Sequence, residues 1–344
     1  MILKMFNKKL IIILFFVILA LGLIFIWQKN SWTIEVGNES NNSVIGIESE
    51  EVSPLSGLVC QNYERRPFAV VLANDPVARP LFGLSKADLV IEMPVITNSI
   101  TRVIAFYICN SPEEIGSLRS ARHDFIPLAQ GFDAILVHWG GSHFALDKLD
   151  AGIMDNIDAL KNPYNAFYRE SSKPQPHNGF TSTDRLNNSA KNIGYRLVNV
   201  FEGYSFIKEN KGQSVNRILR IGYSYPYNVS YQYDSITNSY FRYRTNLKEV
   251  DAGNNQQIEA KNIVVMRAFS KQIQGPDYND LDLEGSDDCQ IYQNGIVIDC
   301  TWQKSEINPY SKLKFLDNDD NEIPFVQGQT WIEIVEPNQE VTWE

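Results

Sequence analysis

All four histidines of this chain, His123, His138, His143 and His177, fall within 55 residues. They are accompanied by guanidinium and hydroxyl groups in three short stretches, LRSARHD (118–124), HWGGSHF (138–144) and YRESSKPQPHNGF (168–180). Guanidinium groups recognise carboxylate or phosphate through bidentate hydrogen bonds, and histidine exchanges protons near neutral pH. Arg119, Arg122 and Arg169 with His138 and His177 therefore suit an anion site. Ser120, Ser142, Asn178 and the backbone at Gly140 and Gly141 complete the candidate ligand-binding set. The competing reading is that Arg119 and Arg122 pair with acidic side chains and only fix loops.

The HWGGSHF stretch admits three readings. Gly140-Gly141-Ser142-His143-Phe144 approaches a nucleophile elbow, with Phe144 in place of the final glycine and His177 as a possible base. Alternatively Ser142 caps a helix while the glycines let the backbone turn or approach a ligand. Ligation of a metal by His138 and His143 is the third, but their spacing straddles a turn and no Cys or Asp pair completes a zinc pattern. The candidates for a catalytic group are thus Ser142, His138 and His177. Asp317-Asn318-Asp319-Asp320-Asn321 opens like a calcium loop, yet Glu322 and Gly328 stand where glycine and glutamate are needed. No metal and no cofactor is expected. Trp139, Tyr164, Phe167 and Tyr168 lie nearby in sequence and could stack on a sugar ring.

The elements that must hold these residues are readable from patterning. FAVVLAN (68–74), ADLVIEMPV (87–95), TRVIAFYIC (101–109) and DAILVHW (133–139) are short apolar runs suited to strands buried on both faces. Between them SARHDFIPLAQGF (120–132) and SHFALDKLDAG (142–152) read as helices, each opened by a serine suited to capping. This predicts an α/β domain over residues 67–215, with the site beyond the carboxyl ends of its strands. After residue 216 the chain turns to alternating strands with turn signals, predicting a mainly antiparallel β domain over 216–337.

The rest of the chain bounds the setting. Residues 1–9 carry Lys4, Lys8 and Lys9, and 10–27 are an almost wholly apolar run ending in Trp27, which predicts a cytoplasmic tail and a transmembrane signal anchor. A cleaved signal peptide is the alternative, and the run exceeds the usual length for one. Residues 28–66, polar at first, form a flexible linker, and the domains lie outside the cytoplasm. The net charge of −10, without clustered cations beyond the first nine residues, argues against nucleic acid as a partner. Asn294-Gly295 is a strong hairpin turn signal that sets Cys289 opposite Cys300 in a predicted disulfide; Cys60 and Cys109 then pair by elimination.

RPFAVVLANDPVARPLFGLSKADLVIEMPV, ITRVIAFY, IGSLRSARHDFIPLA, DAILVHWGGS and PHN, in that order, resemble the YerB-like lipoprotein family of the bacterial envelope. YDSITNSYFRYR, the NIVV strand and the run from DCTWQK to GQTWIEIVEP resemble the same family's C-terminal domain. The resemblance implies an exported two-domain protein of no assigned reaction, with shared polar residues at Arg119, Ser120, Arg122, His138, Gly140, Gly141, Ser142, His177 and Asn178. This chain departs from lipoprotein members in having no cysteine before Cys60, so the membrane contact is expected through the N-terminal helix. The functional expectation is a membrane-anchored envelope protein whose Arg/His-lined site binds a cell-wall glycan, peptide or phosphate group. Two alternatives stand beside it: a wall hydrolase or transferase using Ser142 or His177, and a scaffold that binds an envelope protein through its β domain.

Overall fold

The computed structural model describes residues 51–210 and 216–344. The expected tail at 1–9, the anchor at 10–27 and the linker up to residue 50 lie outside the described residues, as does the predicted boundary at 215/216; residues 51–66, expected as the rest of a flexible linker at 28–66, are instead packed, with Leu55 fully buried, Ser53 and Ser56 donating to Asp88 and Cys60 bonded to Cys109. Among the described residues no helix is long and apolar enough to cross a membrane.

Ten strands form one twisted sheet drawn from both halves of the chain. From one edge its order is Lys314–Leu316, Ile296–Lys304, Gly285–Gln293, Asn262–Arg267 and Thr330–Val335. It continues through Leu89–Pro94, Thr101–Tyr107, Phe68–Ala73, Ile135–His138 and Asn156–Asp158. The joint between the halves is a parallel pairing in which Leu89, Val90, Ile91 and Glu92 face Thr330, Trp331, Ile332 and Glu333. A second antiparallel sheet runs Leu247–Lys248, Ser239–Arg244, Val229–Asp234, Arg217–Ile221 and Val341–Trp343.

Alternation along the central strands explains how both faces are covered. Ala69, Val71, Ile91, Ile104, Leu136, Val264 and Ile332 point to one face, where Phe125, Ile126, Leu128 and Ala129 of the Phe125–Gly131 helix pack on them. Phe68, Val70, Val90, Val103, Val137, Ile263 and Trp331 point to the other, where Leu219, Tyr231 and Tyr240 of the second sheet close the core. A strand covered on both faces cannot show a polar edge in its sequence, hence the continuous apolar runs.

The fold is mostly β with few helices, which corrects the α/β expectation for the first half. Leu89–Pro94 and Thr101–Tyr107 pair antiparallel, because six residues between them leave no room for a crossover helix. Parallel pairing survives where Phe68–Ala73 meets Ile135–His138 and where that strand meets Asn156–Asp158. The helix expected at 120–132 starts only at Phe125, so Ser120 is not its cap; residues 119–121 are taken up by strand contacts instead. A helix at Thr183–Ile193, capped by Ser182, was not anticipated. Both expected disulfides are present: Cys289 and Cys300 sit in register across the Asn294-Gly295 hairpin with Cα atoms 4.8 Å apart, and Cys60 joins Cys109.

The two sheets are bolted together by charges. Glu92 and Glu333, neighbours in the central sheet, are fully buried and both accept from Arg242, whose guanidinium lies 3.8 Å over the Trp331 ring. Arg244 donates to Glu92 at 2.6 Å, Arg242 donates to Glu249 at 2.9 Å, and Asn74 and Thr101 donate to the remaining Glu92 oxygen at 2.7 and 2.6 Å. Burial pushes the carboxyl of Glu249 up, but Arg244 and Arg242 outweigh it and hold it at about 2. For Glu333 burial prevails over Arg242, and its carboxyl rises to about 7.

Removal of the shared cation leaves Glu333 without a guanidinium partner and Glu92 with Arg244 alone. Arg242→Ala should therefore lose roughly 3 to 5 kcal/mol of stability in urea unfolding, and a loss below 1 kcal/mol would contradict the network. Between pH 4.5 and about 7 the folded chain keeps a proton on Glu333 that the unfolded chain releases. This group's contribution is thus complete below pH 4.5 and fades as pH rises through about 7. Glu333→Gln should flatten that decline in unfolding midpoints, and an unaltered pH profile would count against it.

Candidate functional site

Phe68–Ala73 and Ile135–His138 begin as parallel neighbours, Phe68, Ala69 and Val70 opposite Ile135, Leu136 and Val137. Beyond that point they part, and residues 117–121 fill the gap. On one side the Ala73 N–H donates to the Ser117 carbonyl and the Arg119 N–H to that of Val71, at 2.8 and 2.9 Å. On the other, the Trp139 N–H donates to the Arg119 carbonyl at 3.0 Å and the Ala121 N–H to that of Gly140 at 2.9 Å. The inserted segment carries Arg119 and Arg122 to the carboxyl ends of two parallel strands, where crevices open in sheets of this kind.

The structure brings a third arginine to this place. Arg102, opposite Ala73 at the start of its strand, is 6% exposed and donates to the Ser120 carbonyl at 2.7 Å. Among the described residues no carboxylate lies within 4.0 Å of the guanidinium of Arg102, Arg119 or Arg122. The Nε atoms of Arg119 and Arg122 are buried without a hydrogen-bond partner. Burial, and then the charges of Arg122 and Arg119, push Arg102 down to about 9. Arg122, lowered first by burial, lies 5.5 Å from the face of Tyr278, which lends it partial compensation.

His177 stands on the same electrostatic patch. Its Nδ1 is 3.9 Å from a carboxylate oxygen of Asp75, and burial, with Arg119, Lys173 and Arg102 adding, lowers its affinity for a proton despite Asp75. The stretch that bears it is drawn in by backbone bonds: Ser117 Oγ donates to the His177 carbonyl, and the Leu118 N–H to that of Gly179 at 2.8 Å. Gly179 allows this approach, since a Cβ there would come within 2.3 Å of the Trp139 ring.

The other expected residues serve the frame. His138 is fully buried, with Nδ1 2.8 Å from the Gly140 carbonyl and Nε2 3.2 Å from the Asn156 side-chain oxygen. Asp158 accepts from the N–H groups of Gly140 and Leu160 at 2.8 and 2.9 Å, fixing the turn in which Gly140 takes φ of +64°. Ser142 is 2% exposed and caps the His143–Asp150 helix, its Oγ accepting from the Ala145 N–H at 3.2 Å. Arg169 lies over the Trp139 ring, 4.5 Å from its centroid, and donates to the Asn178 side chain at 2.6 Å.

Sequence reasoning missed Arg102, Asp75 and the hairpin formed by Ser270–Gln274 and Tyr278–Leu281, which supplies Tyr278 from the second half of the chain. An arginine inside the apolar run TRVIAFYIC was the available signal for the first. His143, exposed, meets Tyr278 at 5.4 Å, so the hairpin reaches across to the Ser142 helix as well. A cleft of about 460 Å³ lies elsewhere, on the second sheet between Arg220, Asn228, Thr342 and Glu344, and its one arginine is already paired with Glu344. Unpaired cations, rather than cleft size, single out the first location.

Comparison with known proteins covers both halves. Residues 55–196 match the N-terminal domain and 219–332 the C-terminal domain of the family described as protein of unknown function DUF3048. The chain is 34% identical over 292 residues to "Putative lipoprotein YerB" of Bacillus subtilis (strain 168), spanning 82% of this chain and 86% of that protein. The crystal structure of the Bacillus subtilis YerB protein superimposes with a TM-score of 0.76 at 33% identity, covering 85% of this chain and 99% of that one.

A capping role has a measurable signature. Ser142→Ala should lower stability by about 1 kcal/mol and Ser142→Asp should restore most of it; if both variants unfold like the parent in urea, the cap contributes nothing.

Proposed function

The chain belongs to the YerB-like family of DUF3048 proteins, and from that premise we propose that it is an envelope-associated protein that captures an anionic wall component at Arg102, Arg119 and Arg122. The observation that carries this reading is three buried or half-buried guanidiniums that repel one another and have no carboxylate partner among the described residues. Such an arrangement is costly for a folded protein unless an anion is its usual companion. Phosphate and carboxylate both match the guanidinium fork, and muropeptides and glycerol-phosphate polymers carry these groups in the envelope. His177, kept neutral more readily than an ordinary histidine, supplies a hydrogen bond rather than a second fixed charge, while Asp75 offers an acceptor at the edge of the site.

A serine hydrolase reading is less well supported, because the Ser142 hydroxyl accepts from the helix backbone and is 2% exposed. A scaffold role for the β half gains no particular support from the charge pattern, whereas Tyr278 of that half helps to build the anion site.

Calorimetric titration with a muropeptide bearing free carboxylates, and separately with glycerol phosphate oligomers, tests the proposal at low ionic strength. One of the two should bind saturably, and Arg119→Gln and Arg122→Gln should each weaken it at least tenfold while circular dichroism stays unchanged. Equal affinity in parent and variants, or no binding of either ligand, would overturn the reading.

A further inference from the structure

Next to the arginines, and apart from them, a second cluster has the composition of a metal site. His123 and Asp124 come from the segment that follows Arg122, and Asp280 comes from the Tyr278–Leu281 strand of the overlying hairpin. His123 Nε2 lies 3.0 Å from Asp280 Oδ1 and 3.5 Å from Asp124 Oδ1. The three ligand atoms all fall within 4.8 Å of one another.

Two of these spacings are close to those of a coordination shell. Ligands about 2.0 to 2.2 Å from a tetrahedral Zn²⁺ stand about 3.3 to 3.6 Å apart, so the His123–Asp124 separation already matches and the His123–Asp280 pair would open slightly around an ion. An unpartnered carboxylate oxygen supplies independent support. Asp124 is 3% exposed, its Oδ2 has no hydrogen-bond partner, and its Oδ1 takes only the Leu281 N–H at 3.0 Å besides the imidazole. Lys271 engages Asp280 through Oδ2 at 3.3 Å and leaves Oδ1 on the imidazole. The Asp280 side chain is 37% exposed, which gives an ion a route in from solvent.

We propose that His123, Asp124 and Asp280 form a binding site for a divalent transition metal of the Zn²⁺ class. One imidazole and two carboxylates leave a fourth position for water or a ligand oxygen, the arrangement of an open rather than a closed zinc site. The nitrogen ligand selects against Mg²⁺ and Ca²⁺, which take oxygen donors. Because Asp280 belongs to the hairpin and His123 to the inserted segment, the ion ties the second half of the chain to the first at the place where Tyr278 meets Arg122. The site does not depend on the anion reading, since none of its ligands is an arginine.

The test uses the full chain stripped with EDTA. Titration with ZnCl₂ should show one saturable site, and Co²⁺ should give visible absorption bands of a low-symmetry four- or five-coordinate centre. His123→Ala and Asp280→Asn, changed one at a time on opposite sides of the junction, should each weaken uptake at least tenfold. Zn²⁺ should raise the thermal unfolding midpoint of the parent and leave that of His123→Ala unmoved. Absence of saturable uptake by the parent, or uptake unaltered in both variants, overturns the assignment.

Discussion

Everything else in this molecule leans on one buried guanidinium. Arg242 sits between two glutamates that the parallel pairing of Leu89–Pro94 with Thr330–Val335 forces side by side. Two adjacent carboxyl groups on a closed sheet face forfeit hydration and repel when both ionise, so the pairing of the halves relies on that cation, on Arg244 beside Glu92 and on the proton that Glu333 holds up to about pH 7. The stacking of Arg242 on Trp331 and its bond to Glu249 orient the fork, which in turn sets how the second sheet lies on the first. Buried ion networks are poor sources of net stability, but they reject arrangements in which any member loses its partner. Here the discrimination is for one register between halves that are remote in sequence.

The site follows from a local failure of the same sheet to stay closed. Two parallel strands separate after three paired residues, and the chain uses the gap to thread residues 117–121 between them. Backbone groups on both sides of the insertion are thereby satisfied, while the side chains of Arg119 and Arg122 are delivered to the strand ends. Arg102 reaches the same point from the antiparallel neighbour. Positive charge thus accumulates as a by-product of main-chain hydrogen bonding that the fold requires, and an anion can exploit it without any rearrangement of the core.

What could be read beforehand was local in origin. A hairpin turn at Asn294-Gly295 places Cys289 against Cys300 by counting alone, and Ser142 before an amphipathic stretch declares its cap. The convergence of the Arg119, Arg122 and His177 stretches also followed from their positions at strand ends. Arg102 escaped notice because its place in the apolar run TRVIAFYIC marks it as unusual without saying which neighbours it meets at the strand end. Glu92, Glu333 and Arg242 escaped because their meaning lies in one another, across 150 residues in the case of Arg242 and Glu92. A glutamate in the middle of LVIEMP or TWIEIV was a visible anomaly, and only the strand order turns it into a partner. Ser120 erred in the opposite direction: its residue type suited a helix cap, but tertiary strand contacts claimed the backbone first.

The interleaving of the halves also dictates when the protein can be made. While the chain emerges from the ribosome, Leu89–Pro94 is synthesised long before the strand that will lie beside it, and it presents an open apolar edge until Thr330–Val335 arrives. Such an edge invites pairing with any neighbour, and closing it demands a contact between distant parts of the chain, which is slow. A polypeptide cut short before residue 330 would lack the strand that closes this edge.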